Sequence, residues 1–519
     1  MAWFYLALAL ALVPLAFWIS WRASRHWQDV QAMQKAAGET LDFRALASDP
    51  IPDEENFCAI PLLKDLSLSV DGDSSKGIPA ENRARLAALK LEPKTKPGHR
   101  PEFSSSLLGR STDLKAWAEA LRDTGKPSGA PESSDAAREV LTTLSKYDAI
   151  VRDLAAGLVR PRAQWTPSIR TRELPRAVVS LGLPHYRSVV NANGMLCLRC
   201  IASARAGEIG KACEAAQIMA RFSEASLDQP LFIAHLVAAN CGDALATATW
   251  ELCDAHAGSA EDLAKLEAAL ARLNFRRSAL NAFRGELATS VDFMQAVKET
   301  GCKPAILATP GGDAAQIGEL IKALHMRGLP AGVFDASSAF LAEREVGFLI
   351  KPLRDEGWLR AIQSAEEFHD YIKESGIRIF MNPPGYIMAT ITASSAGTIL
   401  RRSARVQVVV NQAVIACALE RFRIEKGSYP ESLDEVRLTS GEALPLDEIN
   451  GKPMGYRKTE NGRYVLWSVG FDGKDDGGKR ALDGADALTN LKQLEDLSYK
   501  GDWVWDFPTD TATAGEKHE

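Results

Sequence analysis

The chain has 519 residues, 46% hydrophobic and 25% charged, the composition of a globular protein with room for two or three domains. Its 61 Lys and Arg against 67 Asp and Glu leave a net charge of −6. No segment concentrates enough Lys and Arg to neutralise a phosphate backbone, so nucleic acid is excluded as an expected partner.

From Ala2 to Ile19 no residue is charged, and the run AWFYLALALALVPLAFWIS is bordered by Trp3, Tyr5, Trp18 and Trp21. At about 1.5 Å per residue a helix of this length spans roughly 27 Å, enough for the hydrocarbon core of a bilayer. Length and terminal rings together predict a single-pass anchor over residues 1–21, in contact with membrane lipid. Pro14 is tolerable in lipid. A cleaved signal peptide and a buried helix are the competing readings; a signal peptide normally opens with basic residues and ends at a small-x-small site, to which Arg22-Ala-Ser24 is the nearest approach. Arg22 and Arg25, following the span, favour a cytoplasmic body on the positive-inside rule, although Asp29 offsets them.

Residues 22–110 are rich in Pro, Ser, Asp, Gly and Lys, as in DGDSSKGIPAENRAR, and predict a linker with short helices. Helical patterning begins at Ser111 and defines an α-helical domain over 111–380. STDLKAWAEALRD opens with a cap, and SSDAAREVLTTLSKYDAIVRDLAAGLV keeps helical spacing until Pro161. Tyr186–Ala206, Glu208–Ala225, Pro230–His256, Ala260–Leu273 and Arg276–Lys298 read as successive helices joined by short turns, an irregular bundle or array with no clean repeat. IGELIKALHMRG and AEEFHDYIKESG extend the helical text to Asn382-Pro-Pro-Gly385.

A long helix then runs to Lys426, starting as early as Ile387. Val406, Val409, Val410, Ala413, Cys417 and Ile424 predict its apolar face, and Arg405, Gln412, Glu420, Arg423 and Glu425 its other side. Gly427 and Pro430 stop it. Ser432-Leu-Asp-Glu435 has the form of a capping box. Gly455–Thr459 and Arg463–Gly470 predict two strands around the Asn461-Gly462 turn. Trp503, Trp505 and Phe507 share one face of a third strand and are expected to cover the long helix.

ALERFRIEKGSYPESLDEV, followed by LPLDEINGKPMGYR and RYVLWSVGFDGKDDGG, resembles the globular domain of the major, G-type pseudopilins of bacterial type II secretion systems, and is most similar to a C-terminal domain of that kind in uncharacterised membrane-anchored bacterial proteins. The match covers roughly Ser403 to Pro508. The resemblance implies a pseudopilin-like α+β domain over 386–510, a long helix packed on a small antiparallel sheet, followed by a disordered tail over 511–519. The fold class expected for the whole is thus mainly α with a small α+β domain behind an N-terminal transmembrane helix. The resemblance also implies an extracytoplasmic body and a calcium-binding acidic loop, with Asp472, Asp475, Asp476 and Asp502 at the matching positions. Pseudopilins open with their polymerising helix, whereas the matching helix here lies some four hundred residues into the chain, so a borrowed domain is expected and not a fibre subunit. Lys479–Gly501 is an insertion relative to the family pattern.

Calcium takes about six to eight oxygen ligands, which Asp472, Asp475, Asp476 and Asp483 with neighbouring glycine carbonyls could partly supply. The loop is not an EF-hand, because Lys474 occupies its third position and Asp483 its twelfth. The alternative is a solvated turn in which Asp and Gly serve only backbone conformation.

Eight cysteines are present, and Cys197-Leu-Arg-Cys200, the single CxxC, falls mid-helix, unlike a redox motif. His235 reads as a core residue, Glu251, Asp254 and His256 as a solvated helix face, and Thr309–Gly312 as a helix start lacking the ending of a phosphate loop. No metalloprotease helix or nucleophile elbow is present in the sequence. The expected function is a non-enzymatic, membrane-anchored envelope protein whose helical and pseudopilin-like domains bind other proteins, possible components of type II secretion or pilus-like machinery, with no small-molecule cofactor. The alternative is a membrane-anchored hydrolase with its active site in the helical core.

Overall fold

The computed structural model describes residues 2–68, 79–93, 101–122, 135–171, 181–301, 328–375, 383–480 and 501–507, and the single positions 174, 178, 303, 322 and 326. Its principal helices are α1 (Ala2–Ala36), α2 (Leu114–Leu121), α3 (Ala136–Leu144), α4 (Asp148–Ala156), α5 (His185–Arg205), α6 (Ile209–Leu227), α7 (Phe232–Asp254), α8 (Ala260–Ala271), α9 (Phe275–Thr300), α10 (Ala331–Glu345), α11 (Trp358–Glu374) and α12 (Pro383–Lys426), with shorter helical pieces at Phe43–Leu46, Ala80–Ala87 and Lys351–Asp355. The five successive helices expected between 186 and 298 are α5 to α9, each within a few residues of its predicted ends. Their starts follow capping chemistry: Asn274 accepts the Arg277 N–H at 2.8 Å ahead of α9, and Ser259 accepts that of Asp262 at 3.1 Å ahead of α8. A π-helical turn, Val346–Ile350, follows α10.

The axis of the molecule is α12. It ends where Gly427 turns to a positive φ of 82° and donates its N–H to the Arg423 carbonyl at 2.8 Å. The expected division into apolar and polar faces is corrected: every residue from Ser403 to Glu420 is buried, while Ile424, assigned to the apolar face, is exposed. Helices α7, α8, α9, α10 and α11 all pack on α12, and the sheet takes remaining surface near its C-terminal half. Buried polar side chains of this stretch are held by partners from the packed elements. Arg405 pairs bidentately with Asp243 at 2.8 Å, Gln412 donates to the Trp503 carbonyl at 2.8 Å, and Gln407 accepts the Phe275 N–H at 2.6 Å.

Beyond α12 the chain forms the expected capping box, Ser432 donating its N–H to Glu435 at 2.9 Å. Three antiparallel strands follow, β1 (Gly455–Lys458), β2 (Tyr464–Ser468) and β3 (Trp503–Trp505), in the order β1-β2-β3. Gly455 pairs with Trp467 and Leu466 with Trp505. Trp503, Trp505 and Phe507 join the main core with α12, as the period-two spacing predicts, while Val465, Trp467 and Val504 form a small cluster of their own.

Residues 22–110, expected as a linker, are corrected in part. Trp27, Val30, Phe57, Cys58, Leu63 and Leu89 are buried in the same core as the bundle: α1 continues past the expected anchor and packs along α10, and Phe57 packs edge-on against Phe222 of α6. Among the described residues no helix is long and apolar enough to cross a membrane. The side chains of residues 2–13, most of the expected anchor, lie outside those described. So do Thr309–Gly312, most of IGELIKALHMRG, residues 481–500 of the insertion, and the 511–519 tail.

Candidate functional site

The acidic loop leaves β2 through Gly470 and returns beside β3. Asp472 accepts the Lys474 N–H at 3.1 Å, and Asp475 accepts both the Gly477 N–H and the Trp467 indole N–H at 2.9 Å. These are Asx turns, the local alternative to a ligand role. Asp502, buried at the foot of the loop, accepts from the N–H of Gly478 at 2.7 Å and of Asp476 at 3.3 Å. Burial pushes its carboxyl above the usual range, and the backbone donors oppose that rise. Gly478 has φ 75°, and a Cβ there would lie 2.9 Å from the Trp467 ring, so the loop needs glycine on both counts. The structure therefore brings Asp475, Asp476 and Asp502 to one loop, with both Asp502 oxygens and one Asp475 oxygen accepting N–H donors. Among the described residues no three His, Cys, Asp or Glu side chains are grouped to hold a metal. Asp483 lies outside them.

Two buried carboxylates outside this loop were not singled out from sequence as site residues. Asp447, 1% exposed, accepts from Ser468 Oγ at 2.9 Å and from the N–H groups of Ile449 and Val469 at 3.0 Å, pinning the LPLDEING turn to β2. Its signal was the Asp-x-x-Asn-Gly turn composition. Glu420, 2% exposed, accepts from the Tyr429 hydroxyl, from Arg423 Nε at 2.9 Å and from His256 Nδ1 at 3.3 Å. Burial pushes the Glu420 carboxyl up, but the His256 and Tyr429 hydrogen bonds and the Arg423 charge bring it below its ordinary value. Arg463, which has only donors, lies 2.9 Å from His256 Nε2; that nitrogen accepts and Nδ1 carries the proton toward Glu420. The same guanidinium reaches the carbonyl and carboxylate of Asp254 at 2.9 and 3.0 Å. The cluster joins the end of α7, the end of α12 and the hairpin.

This geometry overturns the solvated-face reading for the carboxylates Glu251 and Asp254, while His256 itself is exposed. Glu251 is fully buried and pairs with Arg205 at 2.7 Å, which also holds Asp254 at 2.7 Å. His235 is a core residue as expected: Nδ1 lies 3.0 Å from Ser278 Oγ and Nε2 2.6 Å from Ser403 Oγ, and burial lowers its pKa to about 3. Its Ser-His-Ser chain is enclosed by α7, α9 and α12. Cys197 and Cys200 sit buried within α5, and burial pushes both thiols well above the usual range, against thiolate chemistry. A surface cleft of about 230 Å³ contains Lys90, Glu92, Lys146 and Tyr147, and none of the residues expected to carry chemistry lines it.

No family model, no curated protein and no solved structure matches this chain.

Proposed function

We propose that this chain is a membrane-anchored, non-enzymatic envelope protein whose helical body and pseudopilin-like C-terminal unit bind other proteins, with the body on the extracytoplasmic side. The observation that carries the reading is α1. It is one continuous helix whose first half is charge-free in sequence, which exposes Phe17, Trp18, Ile19 and Trp21, and whose second half turns one face, Trp27, Val30 and Gln34, into the body. Such a surface is unstable in water and suits lipid. The order of long helix, capping box, hairpin, acidic loop and closing strand supports the pseudopilin resemblance. Enclosure of the Ser403–Glu420 part of α12 by the chain's own helices and sheet supports a single-chain role over that of a fibre subunit, since this part of the helix has no free face to offer another copy.

Membranes from cells expressing the full chain should retain it through alkaline carbonate and release it only in detergent, with protein partners co-purifying. Release by carbonate removes the anchor, and a monodisperse chain without partners removes the interaction reading. Calcium at Asp472, Asp475, Asp476 and Asp502 remains part of the proposal, and it requires the loop to exchange backbone N–H donors on Asp502 for the ion. Thermal melting tests it: calcium at a hundredfold over its dissociation constant should add about 2.7 kcal/mol, and an unchanged melt excludes the site.

A further inference from the structure

The anchor helix does not end in a tether. Ser20 packs so closely on α10 that a Cβ at Gly332 would lie 2.5 Å from the Ser20 Cα. Ser24 donates to Asp335, which also takes Lys298 Nζ at 2.6 Å, and Gln34 reaches the Ala342 carbonyl at 3.4 Å. Three further turns of α1 are thus fixed along α10. Immediately before this junction Leu15, Phe17, Trp18, Ile19 and Trp21 are 49–74% exposed. At about 100° per residue these five spread over roughly 200° of the circumference and leave free only the side on which Ser20 meets Gly332, so the body touches one face of the helix there and the rest is open. Arg22 and Arg25 follow, their guanidinium groups 5.5 and 5.7 Å from the rings of Trp18 and Trp21. Apolar residues, then indoles, then arginines is the sequence of environments met on leaving hydrocarbon for phosphate.

We infer that the body is seated directly on the bilayer, with residues 17–25 as a collar in the phospholipid headgroup layer and the start of α10 as the surface pressed against it. This rests on the anchor reading and adds a fixed stance to it. Along α10, Ser20 lies beside Gly332 and Gln34 reaches Ala342; Phe340 then stacks on Tyr386 at 4.4 Å, and Glu345 lies beside Thr392. Hence α1, α10 and α12 run the same way, away from the collar. The 44 residues of α12 extend roughly 66 Å at about 1.5 Å each. The hairpin tip at Glu460 stands at the distal end.

The test places a fluorophore at Ala331→Cys or at Glu460→Cys in full-length protein carrying Cys302→Ser, the seven other cysteines being buried. Reconstitution is into phosphatidylcholine vesicles containing a headgroup-spin-labelled lipid. The inference expects quenching at 331, none at 460, and loss of the 331 signal in Gly332→Leu protein that still floats with the vesicles. Ser24→Ala, a milder break of the same junction, should lower the 331 quenching in part. Floating protein quenched at neither site, or equally at both, overturns the seated stance and leaves the anchor standing. Protein that does not float overturns the anchor and this inference together.

Discussion

Glu345 and His235 are both shut inside the bundle, and burial works on them with opposite sign. Glu345 is 1% exposed at the junction of α10 with the π-helical turn, and burial pushes its carboxyl up to about 8, opposed by the neighbouring Thr392 of α12 and reinforced by Glu286 of α9. A folded pKa above the ordinary 4.5 stabilises the fold fully below pH 4.5, and that contribution is lost as pH rises through about 8. His235, lowered from 6.5 to about 3, behaves conversely: its contribution is present above pH 6.5 and is lost as pH falls toward 3. The two oppose each other where their windows overlap and separate above pH 6.5, where Glu345 acts without His235. Urea unfolding in detergent at pH 6.5 and 8 should therefore show lower stability at pH 8, by an amount on the order of a few kcal/mol. Glu345→Gln should flatten that difference, and an equal slope in the variant would show that other groups cause it. His235 was legible in sequence from its apolar neighbours. Glu345 was not, because its environment is assembled from three helices distant in the chain.

At the scale of elements, α12 tells the same story in a different form. Its end was readable because Gly427 and Pro430 are local signals, and so were the capping box and the Asn461-Gly462 hairpin. Its surroundings were not. A periodicity argument treats polar side chains as solvent-facing, whereas Arg405, Gln412 and Glu420 are buried on partners supplied by α7, β3 and the segment after α12. The acidic loop divides similarly: Asp502 was placed with the loop by resemblance, but its partners there are backbone N–H groups that no residue pattern displays. The Arg405–Asp243 pair gives the mutational test. Asp243→Ala removes the bidentate carboxylate from a guanidinium only 3% exposed and should cost about 3 kcal/mol, since breaking one side of a buried pair is strongly destabilising. The double variant Asp243→Leu, Arg405→Met should recover most of that loss, because two apolar groups need no partner. Denaturant midpoints of the two variants decide it, and a double variant as unstable as the single would mean that packing around α12, not charge, sets the cost.

For the whole molecule, the expected boundary between a helical domain over 111–380 and a sheet domain from 386 has to be weighed against how the core is shared. One apolar cluster runs from Trp27 in α1 through the bundle to Trp505 and Phe507. The junction is also polar: Arg463 of the hairpin is tied to the end of α7, Trp250 of α7 donates to the Asp506 carbonyl at 2.8 Å, and Phe507 stacks on the same indole at 5.8 Å. A piece cut at 386–510 would keep its sheet and α12 but lose α7, α8, α9 and α11, uncovering Val406, Ala413 and Cys417 and removing Asp243 from Arg405. Among the described residues the sheet has three short strands to cover a 44-residue helix, so the uncovered apolar surface drives association. Expressed alone, 386–510 should be helical by far-ultraviolet circular dichroism yet lack near-ultraviolet signal from its tryptophans and self-associate on gel filtration, while the full chain melts in a single transition reported alike by both wavelengths. A monomeric 386–510 fragment with native tryptophan signal would establish an autonomous C-terminal domain, and the full chain would then be expected to unfold in two steps.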